Sequence, residues 1–267
     1  MSERVLPELP LRALIPNAIT MLALCSGATG VRFAIAGEFE KAAAAIVIAG
    51  VLDGIDGRVA RLLKGTSRFG AELDSLSDVT AFGIAPALIL YLWALEELGR
   101  FGWVVALSLA VCCALRLARF NAALDDLELP KKKLGFTTGV PAPVGAGLAM
   151  APMFFSLGTG NSLDADPLLK ATIVALITAS TAFLMVSNLP GLSWTSLKVK
   201  RETRLFVLAA VGLFAASLAQ APWITLTALS AAYALTIPYA WWRYSQKKAD
   251  VLRQQSADSG ATPAPGD

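Results

Sequence analysis

Residues 53–78 read DGIDGRVARLLKGTSRFGAELDSLSD and place four aspartates between two long apolar runs. On a helix, Asp53 and Asp56 share a face because they lie three residues apart. Asp74 and Asp78, four residues apart, share a face in the same way. Two helices joined by the short turn LLKGTSRF (62–69) can bring these faces together. Charged side chains within or at the edge of a bilayer are costly and usually mark a functional site, so the stretch predicts one here.

Four convergent carboxylates repel one another and are tolerated when they are protonated, paired with cations or bound to metal. Oxygen ligands favour hard cations such as Mg2+, Mn2+ or Ca2+, and four aspartates suit two ions that also hold a diphosphate. Gly57 and Ala60 keep one helical turn free of bulk, and Arg61 offers a planar cation to phosphate. A buried ion pair with Arg58, Arg61 or Arg68 is the structural alternative for any single aspartate.

The spacing of these residues resembles the signature of the CDP-alcohol phosphotransferase family, D-x-x-D-G-x-x-A-R-x8-G-x-x-x-D-x-x-x-D. The matching positions are Asp53, Asp56, Gly57, Ala60, Arg61, Gly70, Asp74 and Asp78. The resemblance covers about residues 14–190. It implies two divalent ions, Mg2+ or Mn2+, held by Asp53, Asp56, Asp74 and Asp78, with Asp78 also serving as the base. It further implies a homodimer and a nucleotide and diphosphate pocket lined by Gly57, Ala60, Arg61 and Gly70.

The composition predicts a polytopic membrane protein of the all-α class. The chain has 267 residues, of which 55% are hydrophobic and 16% charged, whereas soluble domains carry about a quarter charged residues. Apolar runs recur at the length that spans about 30 Å of hydrocarbon. These runs predict a bundle of about eight transmembrane helices, near residues 14–36, 41–63, 70–95, 101–122, 140–157, 168–188, 203–220 and 222–243.

The same pattern predicts four parts of the chain. Residues 1–13 are an interfacial lead-in without the features of a cleaved signal peptide. Residues 14–190 form the core of six helices, to which the family resemblance applies. Residues 191–245 add two C-terminal helices, and residues 246–267 form a polar tail whose composition is typical of disorder.

The distribution of basic residues predicts the orientation in the membrane. With eight spans, four of the 23 lysines and arginines fall toward one side, namely Arg32, Lys41, Arg100 and Lys170, and the other nineteen toward the opposite side. The positive-inside rule makes the crowded side cytoplasmic, with both termini and the aspartate motif on it. We therefore expect a multi-pass protein of the cell (inner) membrane whose active site faces the cytoplasm.

Cysteine and histidine usage narrows the chemistry. The three cysteines, Cys25, Cys112 and Cys113, all lie in apolar runs, so a disulfide framework is not expected. The chain contains no histidine, which removes the usual general base. Acid–base chemistry must then come from carboxylates, lysine, tyrosine or a metal-bound group.

Two further groups of polar residues lie at the ends of predicted helices. The first helix opens with PNAIT, whose Asn17 amide and Thr20 hydroxyl are candidates for the phosphate site. The alternative is that these residues only mark the start of a helix, with proline in its first turn. The fourth helix ends in RLARFN, where Arg116, Arg119 and Asn121 form an anion-binding face. Ordinary positive-inside flanking is the alternative for these arginines.

The segments FGAELDSLSDVTAFGIAPA (69–87), RLARFN (116–121) and GVPAP (139–143) resemble one branch of the family. Members of that branch transfer the phosphatidyl group of CDP-diacylglycerol to L-serine. The resemblance implies these two substrates, phosphatidylserine and CMP as products, and a serine site at Arg116, Arg119 and Asn121. GVPAP is only near to the branch pattern GLP-x-P, and Thr80 stands where serine is common, so the acceptor is less closely specified than the reaction class.

Several alternatives stay open at this point. Glycerol 3-phosphate, an inositol phosphate or choline could replace serine as the acceptor. Outside enzymes, the four aspartates could line a cation pathway in a transporter. An antiporter-like protein is expected to spread carboxylates across the bilayer depth, often with broken helices in paired halves. Here the carboxylates cluster at one face, and the chain has no internal repeat. No nucleic acid is expected as a partner.

Overall fold

A computed structural model describes residues 11–63, 65, 67–125, 136–187, 190–192 and 204–238. The structure is helical, as predicted. Its helices are α1 (Leu11–Ile35), α2 (Phe39–Leu62), α3 (Arg68–Asp78), α4 (Ala85–Trp93), α5 (Arg100–Asp125), α6 (Ala142–Gly158), α7 (Pro167–Val186), α8 (Arg204–Gln220) and α9 (222–238). Most of the predicted lead-in and all of the predicted tail lie outside the described residues.

Helices α1 and α2 form a close antiparallel hairpin. Gly37 turns the chain between them with a φ of 76°, a conformation that glycine adopts without strain. A Cβ at Gly30 would lie 3.2 Å from the carbonyl oxygen of Ala42 and 3.3 Å from the Cβ of Ala45. Small residues at this contact let the two backbones approach, as is common between membrane helices. Because the two helices are antiparallel, the C-terminal end of α2 lies beside the N-terminal end of α1.

Helices α3 and α4 belong to one continuous helical segment, Arg68–Trp93, which is interrupted by a π-helical turn at Val79–Ile84. Pro86 has no backbone N–H to complete an α-helical bond at this point. The Ala85 N–H instead donates to the carbonyl of Thr80, five residues earlier. Such turns are rare and often lie at functional sites. This one begins immediately after Asp78.

A two-stranded antiparallel ribbon accompanies the helices. Strand β1 (Phe136–Thr138) pairs with β2 (Pro190–Leu192), with Phe136 opposite Leu192. The all-α class predicted from the sequence did not include this ribbon. Gly139, with a φ of 72°, follows β1, and a Cβ there would lie 2.9 Å from the Met185 carbonyl oxygen. The ribbon therefore joins the entry of α6 to the exit of α7.

Four helical segments are long and apolar enough to cross a membrane, within the part of the chain that the structure describes. They are Leu14–Ile35, Arg68–Trp93, Arg100–Ala122 and Pro167–Val186. Helix α6 and residues Phe206–Gln220 are shorter apolar helices. Large apolar side chains such as Leu22, Leu176 and Phe183 are exposed on the outside of the bundle, as a lipid-facing surface requires. The protein is thus membrane-embedded, and the number of eight spans stays a prediction.

Candidate metal and diphosphate site

Three aspartates converge between the C-terminal half of α2 and the neighbouring helix α3. Carboxylate oxygens of Asp53 and Asp56 on α2 and of Asp74 on α3 all lie within 4.8 Å of one another. The predicted shared faces and the turn at 62–69 account for this meeting. Ser67 begins α3 by accepting a hydrogen bond from the Gly70 N–H at 3.0 Å, which fixes the first turn of that helix.

Helix α1 holds both carboxylate-bearing helices in place. The Thr20 hydroxyl donates to Asp56 Oδ2 at 2.7 Å, with the Pro16 carbonyl as a second acceptor at 3.1 Å. The buried Ser77 hydroxyl donates to the Thr20 carbonyl at 3.1 Å. Asp56 is 4% exposed, so the hydrogen bond that its carboxylate accepts from Thr20 is buried. Thr20 therefore links α1 to α2 through its side chain and to α3 through its backbone.

Asp78, the fourth predicted ligand, lies beside the group rather than within it. Its carboxyl is within hydrogen-bonding reach of the Asp53 carboxyl, but it does not belong to the set of three that converges within 4.8 Å. Arg116 on α5 is close enough to Asp78 for an electrostatic interaction. Asp78 is thus close enough to interact electrostatically both with the clustered aspartates Asp53 and Asp74 and with Arg116 of α5.

The donor set fits a hard divalent cation. Three carboxylates supply only oxygen ligands and a triple negative charge, a combination that suits Mg2+ or Mn2+. Arg58, Arg61 and Arg68 are exposed and, in the described part of the chain, form no ion pair with the four aspartates. The ion-pair alternative considered from the sequence is therefore not what brings these carboxylates together.

A pocket of about 210 Å³ adjoins the cluster. Five of the residues predicted to contact nucleotide or diphosphate line it together with Asp56 and Asp74, and these five are Asn17, Thr20, Gly57, Ala60 and Gly70. Segments far apart in the sequence, from the start of α1 to the start of α3, therefore meet at one cavity. Its wall combines amide, hydroxyl and carboxylate groups with small residues.

The two glycines of the motif contribute in different ways. A Cβ at Gly57 would meet no atom within 4 Å, so this position leaves open space in the pocket. A Cβ at Gly70 would lie 2.8 Å from Asn17 Oδ1 and 3.1 Å from Ser67 Oγ. Gly70 thus permits α1 to approach the first turn of α3, and Gly57 leaves room for a ligand.

Arg61 does not line this pocket. Its Nε donates to the Gly57 carbonyl at 2.9 Å, and the residue is exposed. The guanidinium therefore lies along the outside of α2, one turn from the glycine that borders the pocket. A contact between Arg61 and a phosphate stays a prediction.

The three residues of the predicted serine site occupy different surroundings. Arg116 is partly buried, lies near Asp78 and Tyr233, and has a buried Nε without a hydrogen-bond partner among the described residues. Arg119 Nη1 donates to the Val186 carbonyl at the end of α7 at 3.0 Å. Asn121 Nδ2 donates to the Ser75 hydroxyl of α3 at 2.9 Å. Arg116 is thus the member of the three that is close enough to interact electrostatically with Asp78.

Sequence reasoning missed several residues that build the site. Ser77 and Ser75 hold α3 against α1 and α5, and Ser67 with Gly65 completes the pocket wall. Ser67 could have been recognised, since serine before a helical run is a common N-cap. The other contacts join residues that are distant in the sequence, so no local pattern indicates them.

The sequence model of the CDP-alcohol phosphatidyltransferase family matches residues 13–246. The chain belongs to this family. Among curated relatives, the CDP-diacylglycerol–serine O-phosphatidyltransferase of Mycobacterium tuberculosis (strain ATCC 25618 / H37Rv) is 38% identical over 231 residues, covering 85% of this chain and 78% of the relative. The enzyme of the same name from Helicobacter pylori (strain ATCC 700392 / 26695) is 35% identical over 202 residues, 74% of this chain and 79% of the relative.

A third relative belongs to an archaeon. The archaetidylserine synthase of Methanothermobacter thermautotrophicus (strain ATCC 29096 / DSM 1053 / JCM 10044 / NBRC 100330 / Delta H) is 32% identical over 170 residues, which is 62% of this chain and 67% of the relative. The family matches the resemblance first seen in the eight positions of the aspartate motif. All three relatives have names that refer to serine.

Proposed function

We propose that this protein transfers the phosphatidyl group of CDP-diacylglycerol to L-serine, releasing phosphatidylserine and CMP. The observation that carries the proposal is the convergence of Asp53, Asp56 and Asp74 beside a pocket at the cytoplasm-facing end predicted for the bundle. Relatives that cover most of this chain carry the name of this reaction. The family, the donor set and the pocket all favour chemistry on a diphosphate.

In the proposed reaction, the serine hydroxyl oxygen attacks the phosphorus that carries diacylglycerol. The bond from that phosphorus to the bridging oxygen of CMP breaks, and CMP leaves with the electron pair. Asp53, Asp56, Asp74 and Asp78 would hold two divalent ions. Bound there, such ions supply Lewis-acid stabilisation of the negative charge on the diphosphate.

The residues around the cluster bind and orient the substrates. Asn17, Thr20, Gly57, Ala60 and Gly70 line the pocket that we assign to the nucleotide and diphosphate. The open space beside Gly57 lets a phosphate approach the α2 backbone. We assign Arg61 to the outer edge of the same site, where rotation of its side chain would bring the guanidinium to a phosphate.

Asp78 is the proposed base. It is close enough to interact electrostatically with Asp53 and Arg116, and in the proposed reaction its carboxylate accepts the proton of the serine hydroxyl. Arg116 would bind the serine carboxylate, because its buried Nε has no partner among the described residues and a buried donor without a partner is costly. Arg119 and Asn121 would border the serine site while they hold α5 against α7 and α3.

We further infer eight spans with both termini in the cytoplasm, in the inner cell membrane, and a homodimeric assembly. The core would be residues 14–190 and the two C-terminal helices would lie within 191–245. Labelling by an impermeant maleimide in right-side-out vesicles tests the orientation. Glu38→Cys should be labelled and Ser67→Cys should be protected, with the parent protein as the control for native cysteines. The opposite pattern would reverse the orientation.

The proposed function is tested with purified protein, CDP-diacylglycerol, Mn2+ or Mg2+ and four labelled acceptors in parallel. These acceptors are serine, glycerol 3-phosphate, an inositol phosphate and choline. We expect labelled lipid and stoichiometric CMP with serine alone. Transfer to one of the other three acceptors would show that this acceptor, and not serine, is the substrate, and the reaction class would stay the same. The proposal would be overturned if no CMP were released with any of the four acceptors. It would also be overturned if the protein carried cations across the membrane without transferring the phosphatidyl group.

A further inference from the structure

Helix α9 packs antiparallel to α6 and is fixed to it at two levels. At its start, Trp223 Nε1 donates to Glu40 Oε1 of α2 at 3.1 Å, and the Trp223 ring stacks on Phe154 of α6 with centroids 6.1 Å apart. Further along α9, the Ser230 hydroxyl donates to the Gly147 carbonyl of α6 at 3.3 Å. The position of the later residues of α9 beside the start of α6 follows from these two contacts.

These contacts place Tyr233 at the end of the bundle that carries the candidate site. Tyr233 follows Ser230 by three residues, which is about 4.5 Å further along the helix axis. It lines a cavity of about 490 Å³ together with Pro143 at the start of α6 and Phe82 in the π-helical turn. That turn begins immediately after Asp78. A residue of the C-terminal part of the chain therefore lies near the aspartate motif.

Tyr233 is close enough to Arg116 of α5 for the two side chains to interact electrostatically. The Arg116 Nε is buried and has no hydrogen-bond partner in the described ranges. In the same ranges the Tyr233 hydroxyl forms no hydrogen bond, since Thr236 bonds to the Tyr233 backbone carbonyl instead. A guanidinium is only a donor, and a phenol hydroxyl donates readily. Two neighbouring donors are therefore available to one acceptor.

An anionic ligand suits this pair of donors better than a group of the protein. Within the part of the chain that the structure describes, Arg116 forms no salt bridge, although Asp78 is close enough for an electrostatic interaction. A buried donor without a partner is costly, and a hydrogen bond to an anion is stronger than one to a neutral group. A carboxylate has two oxygens and can accept from both donors at once.

We propose that the Tyr233 hydroxyl and Arg116 together bind the anionic group of the acceptor, so that Tyr233 is a specificity-determining residue supplied by α9. The inference rests on the proposed function for the identity of the acceptor, and for serine the anionic group is its carboxylate. An acceptor without an anionic group, such as choline, leaves both donors unpaired and is rejected for that reason. Helix α9 thereby becomes part of the acceptor site.

Two tyrosine variants form a matched pair for the test. Tyr233→Phe removes the hydroxyl and keeps the ring that packs against the hydrophobic core. Tyr91 on α4 is also half-buried against this core, and its ring packs edge-on against Trp103 with centroids 5.1 Å apart. Tyr91→Phe therefore makes the same chemical change at a position to which we assign no contact with the acceptor.

The measurement is the KM for serine and for CDP-diacylglycerol with the purified full-length protein. We expect Tyr233→Phe to raise the KM for serine about tenfold and to leave that for CDP-diacylglycerol near the wild type, because one hydrogen bond to a charged group is lost. Tyr91→Phe should match the wild type for both substrates. Equal KM values for serine in the two variants would overturn the inference.

A second acceptor separates recognition of the carboxylate from a general effect on the pocket. L-Serinamide keeps the hydroxyl and the amine of serine but has a neutral amide in place of the carboxylate. Tyr233→Phe should change kcat/KM for L-serinamide less than about twofold, so the preference for serine over L-serinamide should fall. An equal loss with both acceptors would assign the hydroxyl to the structure of the pocket and overturn the inference.

Two further results keep the possible failures apart. Tyr233→Leu also lacks the hydroxyl, and the same comparison of serine with L-serinamide decides the question if Tyr233→Phe does not fold. Transfer by the wild type to glycerol 3-phosphate and not to serine would overturn the proposed function. In that case a raised KM for glycerol 3-phosphate in Tyr233→Phe would support the anion site, and an unchanged KM would overturn it as well.

Discussion

The aspartate cluster and the arginine face of α5 are both polar, yet they differ in how far the hydrogen-bonding groups of their side chains have partners. Asp56 accepts a hydrogen bond from Thr20 and is held by α1. Arg116, in contrast, has a buried Nε without a hydrogen-bond partner among the described residues. The cluster has a fixed geometry and an excess of negative charge, whereas the arginine has a vacant donor. The first is therefore suited to a metal and the second to an anionic group of a substrate.

The largest effect is expected from removing a clustered carboxylate. Asp53→Asn, Asp56→Asn or Asp74→Asn should each lower turnover more than about a hundredfold, because a neutral amide is a poorer ligand for a divalent ion. Transfer of label from serine measures the loss, and size-exclusion chromatography checks that the variants fold. A variant that keeps more than about a tenth of the wild-type rate, a loss below ~1.4 kcal/mol, would not have lost a metal ligand.

An intermediate effect is expected at the arginine face. Arg116→Ala should raise the KM for serine about ten- to hundredfold and change the KM for CDP-diacylglycerol much less, because a charge-assisted hydrogen bond is worth about 1.5–3 kcal/mol. Arg119→Ala is the comparison, since Arg119 donates to the Val186 carbonyl, and its effect on serine should be smaller.

The reverse result would also be informative for the same pair of arginines. If Arg116→Ala leaves the KM for serine unchanged and raises that for CDP-diacylglycerol, Arg116 binds the diphosphate. The contrast between the cluster and the α5 face would then disappear, and serine would have to be sought near Asn121 and the 135–143 segment.

The smallest effect is expected at the residue that connects α1 to the cluster. Thr20→Val removes the hydroxyl that donates to Asp56 and should raise the Mn2+ concentration for half-maximal activity about tenfold, as is usual for residues that orient ligands. Thr20→Ser keeps the hydroxyl and should stay near the wild type. Equal metal requirements for the valine and serine variants would show that Asp56 is positioned without this bond.

The pair of helices that carries the aspartates was predictable, because residues close together in the sequence determine its arrangement. Helical spacing alone put Asp53 with Asp56 and indicated a second helix after the turn at 62–69. The approach of Asn17 and Thr20 to the same pocket was predicted as one of two interpretations of PNAIT. The structure brings both residues to that pocket, while their contact with phosphate stays a prediction.

The features of the fold and the site that were not predicted depend on contacts between residues far apart in the sequence, which no local sequence pattern reveals. The hydrogen bond from Ser77 to the Thr20 carbonyl joins residues of two helices, and strand β1 pairs with β2 across α6 and α7. The hydrophobic pattern predicted α9 as a span but not the side of the core on which it packs, which is defined by Trp223. Tertiary packing, rather than propensity, decides these features.

The π-helical turn at Val79–Ile84 has a consequence for how this helix tolerates changes in length. A π turn contains one residue more than an α turn, and each residue corresponds to about 100° of rotation. Asp74 and Asp78 can therefore face α2 while Ile89 and Leu90, a few turns further, are fully buried in the core. In genetic terms, deleting one codon within 79–84 would restore a regular helix and turn either the carboxylates or the core residues away from their partners.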